Sequence, residues 1–209
     1  MAISLSKTPK INLTKGQTIN LTKDGTKDTE ALLNVFFGAS WGKIPRLFGL
    51  GSKSVDLDAS LICFDKNKKV KETIYFGNRL SNNGSIRHSG DDLVGGKTAD
   101  VDNETISIDL KKISNTTDYI VATLNSYSGQ KFDKIPYIRL RIYTGKLGEP
   151  EEVLCAYNLE NDDTFKNKTS IVLGYFYRKD SAWKFRATGS TGTSTRISGV
   201  IEEARREIS

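Results

Sequence analysis

Short runs of alternating polar and apolar residues, separated by turn residues, recur about every ten residues and favour an all-β fold. Each run is rich in β-branched and aromatic residues and is bounded by Gly, Asn, Asp or Lys. The predicted strands cover residues 11–15, 19–23, 32–37, 56–64, 70–76, 104–110, 118–127, 136–145, 152–159, 170–179 and 181–189. The first two runs, both INLTK, indicate a hairpin around Lys15-Gly16. We therefore predict an antiparallel β-sandwich of about ten strands.

The end of the chain has a helical pattern instead. The apolar residues that recur at the spacing of one helix face are Ile197, Val200, Ile201, Ala204 and Ile208. Ser194 or Thr195 could cap this helix, and the segment 189–195 is typical of a flexible linker. We predict a sandwich domain at 1–189, followed by a linker and an amphipathic helix at 190–209. The helix is expected to pack on its own domain, and a role in association is left open.

Composition limits where the protein is expected to reside and which kinds of ligand it is expected to bind. No apolar run is long enough to cross a membrane, and the first residues, MAISLSKTPK, lack the apolar stretch of a signal peptide, so we expect a cytoplasmic protein. Cys63 and Cys155 lie in apolar runs and are predicted to be buried free thiols. The single histidine, His88, excludes an ordinary zinc site. The net charge of +6 comes from scattered Lys and Arg. Binding to nucleic acid or another anionic ligand therefore stays open, although no RNA-binding motif is present.

Two acidic segments stand out in this basic chain. Asp56 and Asp58 lie two residues apart on a predicted strand, so both carboxylates leave the same face. Between His88 and Glu104, five carboxylates accompany a single cation, Lys97. Crowded carboxylates repel one another unless a cation lies among them, and oxygen ligands favour calcium. The alternative is a solvated turn, in which Asp, Asn and Gly serve only the loop conformation.

The second acidic segment continues the alternation. Asp100, Asp102 and Glu104 would face one side together if they lead directly into the strand at 104–110. The spacing does not match an EF-hand loop, so a calcium site would be assembled from two separate segments. A metal-dependent hydrolase is less favoured because no nucleophile motif or phosphate-binding loop accompanies the acids, and we predict a protein without enzymatic activity.

Several segments, in their order along the chain, resemble the TerD domain, a family of bacterial tellurium-resistance and general stress proteins. They are DLDAS (56–60), YFGNRLSNNGSIRHSGDDLVG (75–95), DVDNETISIDL (100–110), IRLRIY (138–143) and LGYFYRKDSAWKFRATG (173–189). The resemblance spans roughly residues 3–189 and implies a β-sandwich that binds two calcium ions at adjacent sites. It also implies a role in stress or tellurite response, as a calcium-dependent interaction module with protein partners.

The resemblance also implies which side chains hold the metal. Matched residue by residue, the ligands are Asp56, Asp58, Asn78, Asp91, Asp92, Asp100, Asp102, Asn103 and Glu104. The chain departs from the family pattern where Lys97-Thr98-Ala99 is inserted and Val101 replaces a Gly. This longer segment would move the loop carbonyls, and Lys97 would weaken a nearby calcium site. One or two calcium ions are therefore expected.

Overall fold

The computed structural model describes residues 18–20, 34–46, 51–159, 162–179 and 182–209. Within them lie strands β1 (Thr18–Asn20), β2 (Asn34–Trp41), β3 (Ile44–Pro45), β4 (Ser52–Lys53), β5 (Leu57–Phe64), β6 (Val70–Ile74), β7 (Ile86–His88), β8 (Glu104–Asp109), β9 (Tyr119–Ser126), β10 (Ile138–Lys146), β11 (Glu149–Asn158), β12 (Ser170–Lys179) and β13 (Ala182–Gly192), and helix α1 (Ile197–Glu207). Most of the predicted hairpin at 11–23 lies outside the described residues.

Two antiparallel sheets form a sandwich. The six-stranded sheet has the order β1-β13-β12-β9-β5-β6, and the five-stranded sheet has the order β11-β10-β2-β8-β7. The short strands β3 and β4 pair with each other in a separate ribbon. Neighbouring strands in both large sheets run antiparallel. The predicted all-β sandwich is therefore confirmed.

The inward faces of the two sheets form the main core. On β5 the predicted alternation is present, because Leu57, Ala59, Leu61 and Cys63 all belong to this core. Ile62, between them in sequence, belongs to a second apolar cluster on the outer face. Both cysteines of the chain are buried free thiols, as predicted, and burial raises the pKa of each to about 12.

The stretch between the predicted strands at 70–76 and 104–110 contains a strand that was not predicted, β7. Ile86 and His88 are buried and pair with β8. A strand of three residues within a polar stretch is too short to stand out as an alternating pattern. A second correction concerns β8, which begins only at Glu104. Residues 100–103 form turns and bends, so they do not extend that strand.

Helix α1 packs on the outer face of the six-stranded sheet. Val200, Ala204 and Ile208 form an apolar cluster with side chains of β5, β9 and β12. The expectation that the helix packs on its own domain is thus confirmed. Neither Ser194 nor Thr195 is the cap residue, because the helix begins directly after Arg196, which makes no side-chain cap.

The segment that precedes the helix is tied to it by hydrogen bonds. β13 continues to Gly192 and so takes up part of the linker predicted at 189–195. The carboxylate of Glu203, on the helix, accepts hydrogen bonds from the hydroxyls of Ser170 and Ser194, each at 2.6 Å. These contacts tie the middle of α1 to β12 and to the segment that precedes the helix. None of the described helices is long and apolar enough to cross a membrane.

Candidate metal centre

Three carboxylates meet at one end of the sandwich. Oxygen atoms of Asp56, Asp58 and Asp91 all lie within 4.8 Å of one another. Asp58 is on β5, Asp56 directly precedes that strand, and Asp91 comes from the loop after β7. Asp58 is buried, Asp56 is half-buried and Asp91 is exposed, so the group opens to solvent on one side. We call these residues the three-carboxylate cluster.

The electrostatics of the cluster are unfavourable without a cation. Burial, followed by repulsion from Glu104 and Asp56, raises the pKa of Asp58 from 3.8 to about 7, against a hydrogen bond from Asn125. Burial and repulsion from Asp91 also raise the pKa of Asp56. The buried Oδ1 of Asp56 has no hydrogen-bond partner among the described residues. A positive charge at this position would reverse each of these costs.

Glu104 is the link between the two sheets beside the cluster. Its Oε2 accepts a hydrogen bond from the backbone N–H of Ala59 on β5, at 2.8 Å. Its Oε1 accepts from the backbone N–H of Asp92, at 3.2 Å. His88 Nε2 lies 3.3 Å from Oε2, and both side chains are fully buried. Glu104 therefore positions the strand and the loop that carry the cluster.

Asp92 and Asn103 shape the loop that brings Asp91 to the cluster. Asp92 Oδ1 accepts hydrogen bonds from the backbone N–H groups of Val94 and Gly95, at 2.8 and 2.9 Å. Its Oδ2 accepts from the amide of Asn103 at 2.8 Å. Burial alone would raise the pKa of Asp92, but these hydrogen bonds outweigh it and lower the pKa. The oxygens of Asp92 are thus occupied within the loop.

Asp100 and Asp102 belong to a different surface. Asp102 Oδ1 accepts a hydrogen bond from Nε of Arg141 at 2.9 Å, and both side chains are almost fully buried. Asp100 is exposed and lies 3.3 Å from Arg139. Arg141 projects from the outer face of β10, since its neighbours on that strand belong to the core. The expectation that Asp100, Asp102 and Glu104 face one side is therefore wrong, because the chain turns before β8 begins.

Asn78 also lies outside the three-carboxylate cluster. Its side-chain amide donates to the backbone carbonyl of Thr73 at 2.8 Å, and its backbone pairs with that of Tyr75. Of the nine residues that the resemblance implies as ligands, the structure brings three into one group. Those three supply only oxygen atoms, which is the donor type that hard divalent cations prefer.

Two polar residues that contact these acids were not predicted from the sequence. Asn125 on β9 lies opposite Asp58 in the sheet and donates to its Oδ2 at 3.2 Å. Arg141 neutralises Asp102 from a strand that follows much later in the chain. Both contacts depend on pairing between distant strands, for which the local sequence offers no signal.

Comparison with known proteins identifies the family. The TerD domain model matches residues 10–203. The chain belongs to the TerD family. This TerD-family protein is 33% identical over 214 residues to stress response protein SCP2 of Bacillus subtilis (strain 168), covering 96% of this chain and 98% of the relative. It is 32% identical over 187 residues to tellurium resistance protein TerZ of Serratia marcescens, covering 86% and 89% of the two chains.

A solved structure supports the fold of this TerD-family protein. The homologue of telluride resistance protein (TerD) from Streptomyces coelicolor A3(2) matches with a TM-score of 0.68 at 17% identity. The match covers 83% of this chain and 98% of that chain. The resemblance seen in the sequence is therefore confirmed, and the relatives place the chain in a family of tellurium-resistance and stress-response proteins.

Proposed function

We propose that this TerD-family protein binds calcium at Asp56, Asp58 and Asp91 and serves as a calcium-dependent binding module in stress or tellurite response. The observation that carries this proposal is the meeting of three carboxylates within 4.8 Å, with the pKa of Asp58 raised to about 7. Six to eight oxygens at about 2.3–2.6 Å surround a bound calcium ion. Three carboxylates would contribute up to six of these oxygens, and water reaching the exposed side at Asp91 would supply the rest.

We propose a single calcium ion. Asp102 already has a counter-charge in the buried guanidinium of Arg141. The carboxylate of Asp92 already accepts hydrogen bonds from three N–H donors of its own loop. A second ion at Asp102 would displace Arg141 and leave its buried charge without a carboxylate partner, which is strongly unfavourable. Among the described residues no cation occupies the three-carboxylate cluster, and the charged groups that shift the pKa of Asp56 and Asp58 are themselves carboxylates.

A role in binding rather than catalysis, and a cytoplasmic location, are further parts of the proposal. The buried free thiols of Cys63 and Cys155 suit a reducing compartment. Cell fractionation tests the location. Incubation of the calcium-loaded protein with model phosphodiesters and glycosides tests the hydrolase alternative, and turnover that disappears in Asp58→Asn would favour an enzyme.

The decisive experiment is a calcium titration followed by thermal melting. Calcium at a hundredfold excess over its Kd should stabilise the folded protein by about 2.7 kcal/mol. Asp58→Asn should abolish this shift, whereas Asp163→Asn, at an exposed position far along the chain, should retain it. An unchanged melting temperature of the wild type in millimolar calcium would refute the proposal. Growth of a deletion strain on tellurite, rescued by the wild type but not by Asp58→Asn, tests the cellular role.

A further inference from the structure

Several large apolar side chains are exposed to solvent, in part beside the three-carboxylate cluster. In the described part of the chain they are Leu80, Leu93, Val94, Val101, Tyr127 and Leu147. Two of them, the adjacent residues Leu93 and Val94, lie close to Asp91 on the same loop, where they are 58% and 42% exposed. Single exposed apolar residues are common, but a concentration of them on one loop indicates an interaction site.

Backbone hydrogen bonds place Val94 and Tyr127 next to the segment that carries Asp56. The N–H of Val55 donates to the carbonyl of Val94 at 3.1 Å, and the N–H of Tyr127 donates to the carbonyl of Asp56 at 3.1 Å. Leu93 neighbours Val94 in the loop. Together Leu93, Val94 and Tyr127 form what we call the apolar rim of the cluster.

Positive charge accompanies the apolar rim. The guanidinium of Arg196 lies 4.3 Å from the centre of the Tyr127 ring, and Lys97 is exposed on the same loop as Leu93. Without a metal ion, the three carboxylates would repel an anionic surface. One divalent cation would offset two of these three charges, and the cluster is open to solvent at Asp91, the side from which a lipid phosphate would approach.

We propose that the apolar rim inserts into an anionic lipid surface when the cluster holds calcium. This inference rests on the proposed calcium binding. A lipid surface fits better than a protein partner for two reasons. Leu93 and Val94 stand exposed on a loop that also bears Lys97, and lipid phosphates would complement both the bound cation and Arg196, which lies over the ring of Tyr127. Calcium thus removes most of the negative charge that would repel the lipid surface, and the apolar rim supplies the apolar area that is buried in the lipid.

The test is sedimentation of the full-length protein with vesicles of phosphatidylglycerol and phosphatidylcholine mixed in equal parts. In calcium the vesicle-bound fraction should exceed that in EGTA by about tenfold or more. The double variant Leu93→Ser/Val94→Ser should lose this binding, because it removes apolar area while the backbone hydrogen bonds of the loop remain. Leu147→Ser is the matched control, since Leu147 is also exposed, at 56%, but lies in the turn between β10 and β11.

Thermal melting in calcium separates the two proposals. If calcium raises the melting temperature but the wild type does not sediment with vesicles, the lipid inference fails and calcium binding stands. If calcium has no effect on melting, the proposed function fails as well. Equal sedimentation in calcium and EGTA, or equal loss in Leu147→Ser and Leu93→Ser/Val94→Ser, would also overturn the lipid inference. The double variant must keep the calcium-induced melting shift, which shows that its cluster is intact.

Discussion

Replacement of Asp58 by Asn should have opposite effects on stability with and without calcium. In the metal-free protein, burial and the neighbouring carboxylates Glu104 and Asp56 raise the pKa of Asp58 from 3.8 to about 7. The ionised side chain therefore destabilises the fold at neutral pH. Asn has nearly the same shape and keeps an oxygen that accepts the hydrogen bond from Asn125. The substitution thus removes the charge with little change in packing.

The magnitude follows from the pKa shift. A difference of about three pKa units at about 1.4 kcal/mol each gives an upper limit of about 4 kcal/mol. Water reaches the cluster from the exposed side of Asp91 and screens part of this repulsion. We therefore expect Asp58→Asn to raise the free energy of unfolding of the metal-free protein at pH 8 by about 1–3 kcal/mol. For a chain of this size, each kcal/mol corresponds to about 2–4 °C in Tm.

The dependence on pH provides an internal check. The folded pKa of Asp58 lies above its unfolded value, so the folded state binds the proton more tightly. This contribution to stability is fully present below about pH 4 and is lost as the pH rises through about 7. The advantage of Asp58→Asn over the wild type should consequently be largest at pH 8 and disappear near pH 4.

The assay is thermal melting of wild type, Asp58→Asn and the control Asp163→Asn, each dialysed against EGTA and then measured without calcium and with calcium at about a thousandfold excess over its Kd, which should stabilise the wild type by about 4.1 kcal/mol. In EGTA at pH 8 the Asp58 variant should melt at the highest temperature, and in calcium the wild type should overtake it. Lower stability of Asp58→Asn in EGTA at pH 8 would refute the reasoning, because it would mean that the ionised carboxylate stabilises the metal-free fold.

Three further predictions concern the ion count, the tryptophan beside the cluster and the helix. Equilibrium dialysis should find one calcium ion per chain in the wild type and in the double variant Asp102→Asn/Arg141→Gln, which removes the ion pair between these two residues. If the wild type bound two ions and the variant only one, the proposal of a single site would be contradicted. Trp41 donates to the carbonyl of Val55 at 2.9 Å, so saturating calcium should change tryptophan emission, and a spectrum that is unchanged would argue against binding here. Val200→Ala should lower the free energy of unfolding by about 2 kcal/mol, because two buried methyl groups are lost; a urea midpoint equal to that of the wild type would mean that helix α1 is not docked.

Local sequence determined much of the fold. The alternation on β5 identified Leu57, Ala59 and Leu61 as core residues, because successive side chains on a strand must point to opposite faces. The same rule placed Asp56 and Asp58 on one side. The helical spacing at the end of the chain predicted an element that the structure confirms. Each of these features depends on neighbours within a few residues, and the order of the motifs was enough to identify the TerD family.

Tertiary structure decided which acids meet. Asp91 joins Asp56 and Asp58 because the loop after β7 folds back against β5 and is held there by Glu104. Asp102, which follows the same alternation as Glu104 in the sequence, turns to the outer face and pairs with Arg141 on β10. Pairing between distant strands sets these partners. The sequence thus predicted the kind of ligand, and only the fold determined which carboxylates share a cation and which one has an arginine instead.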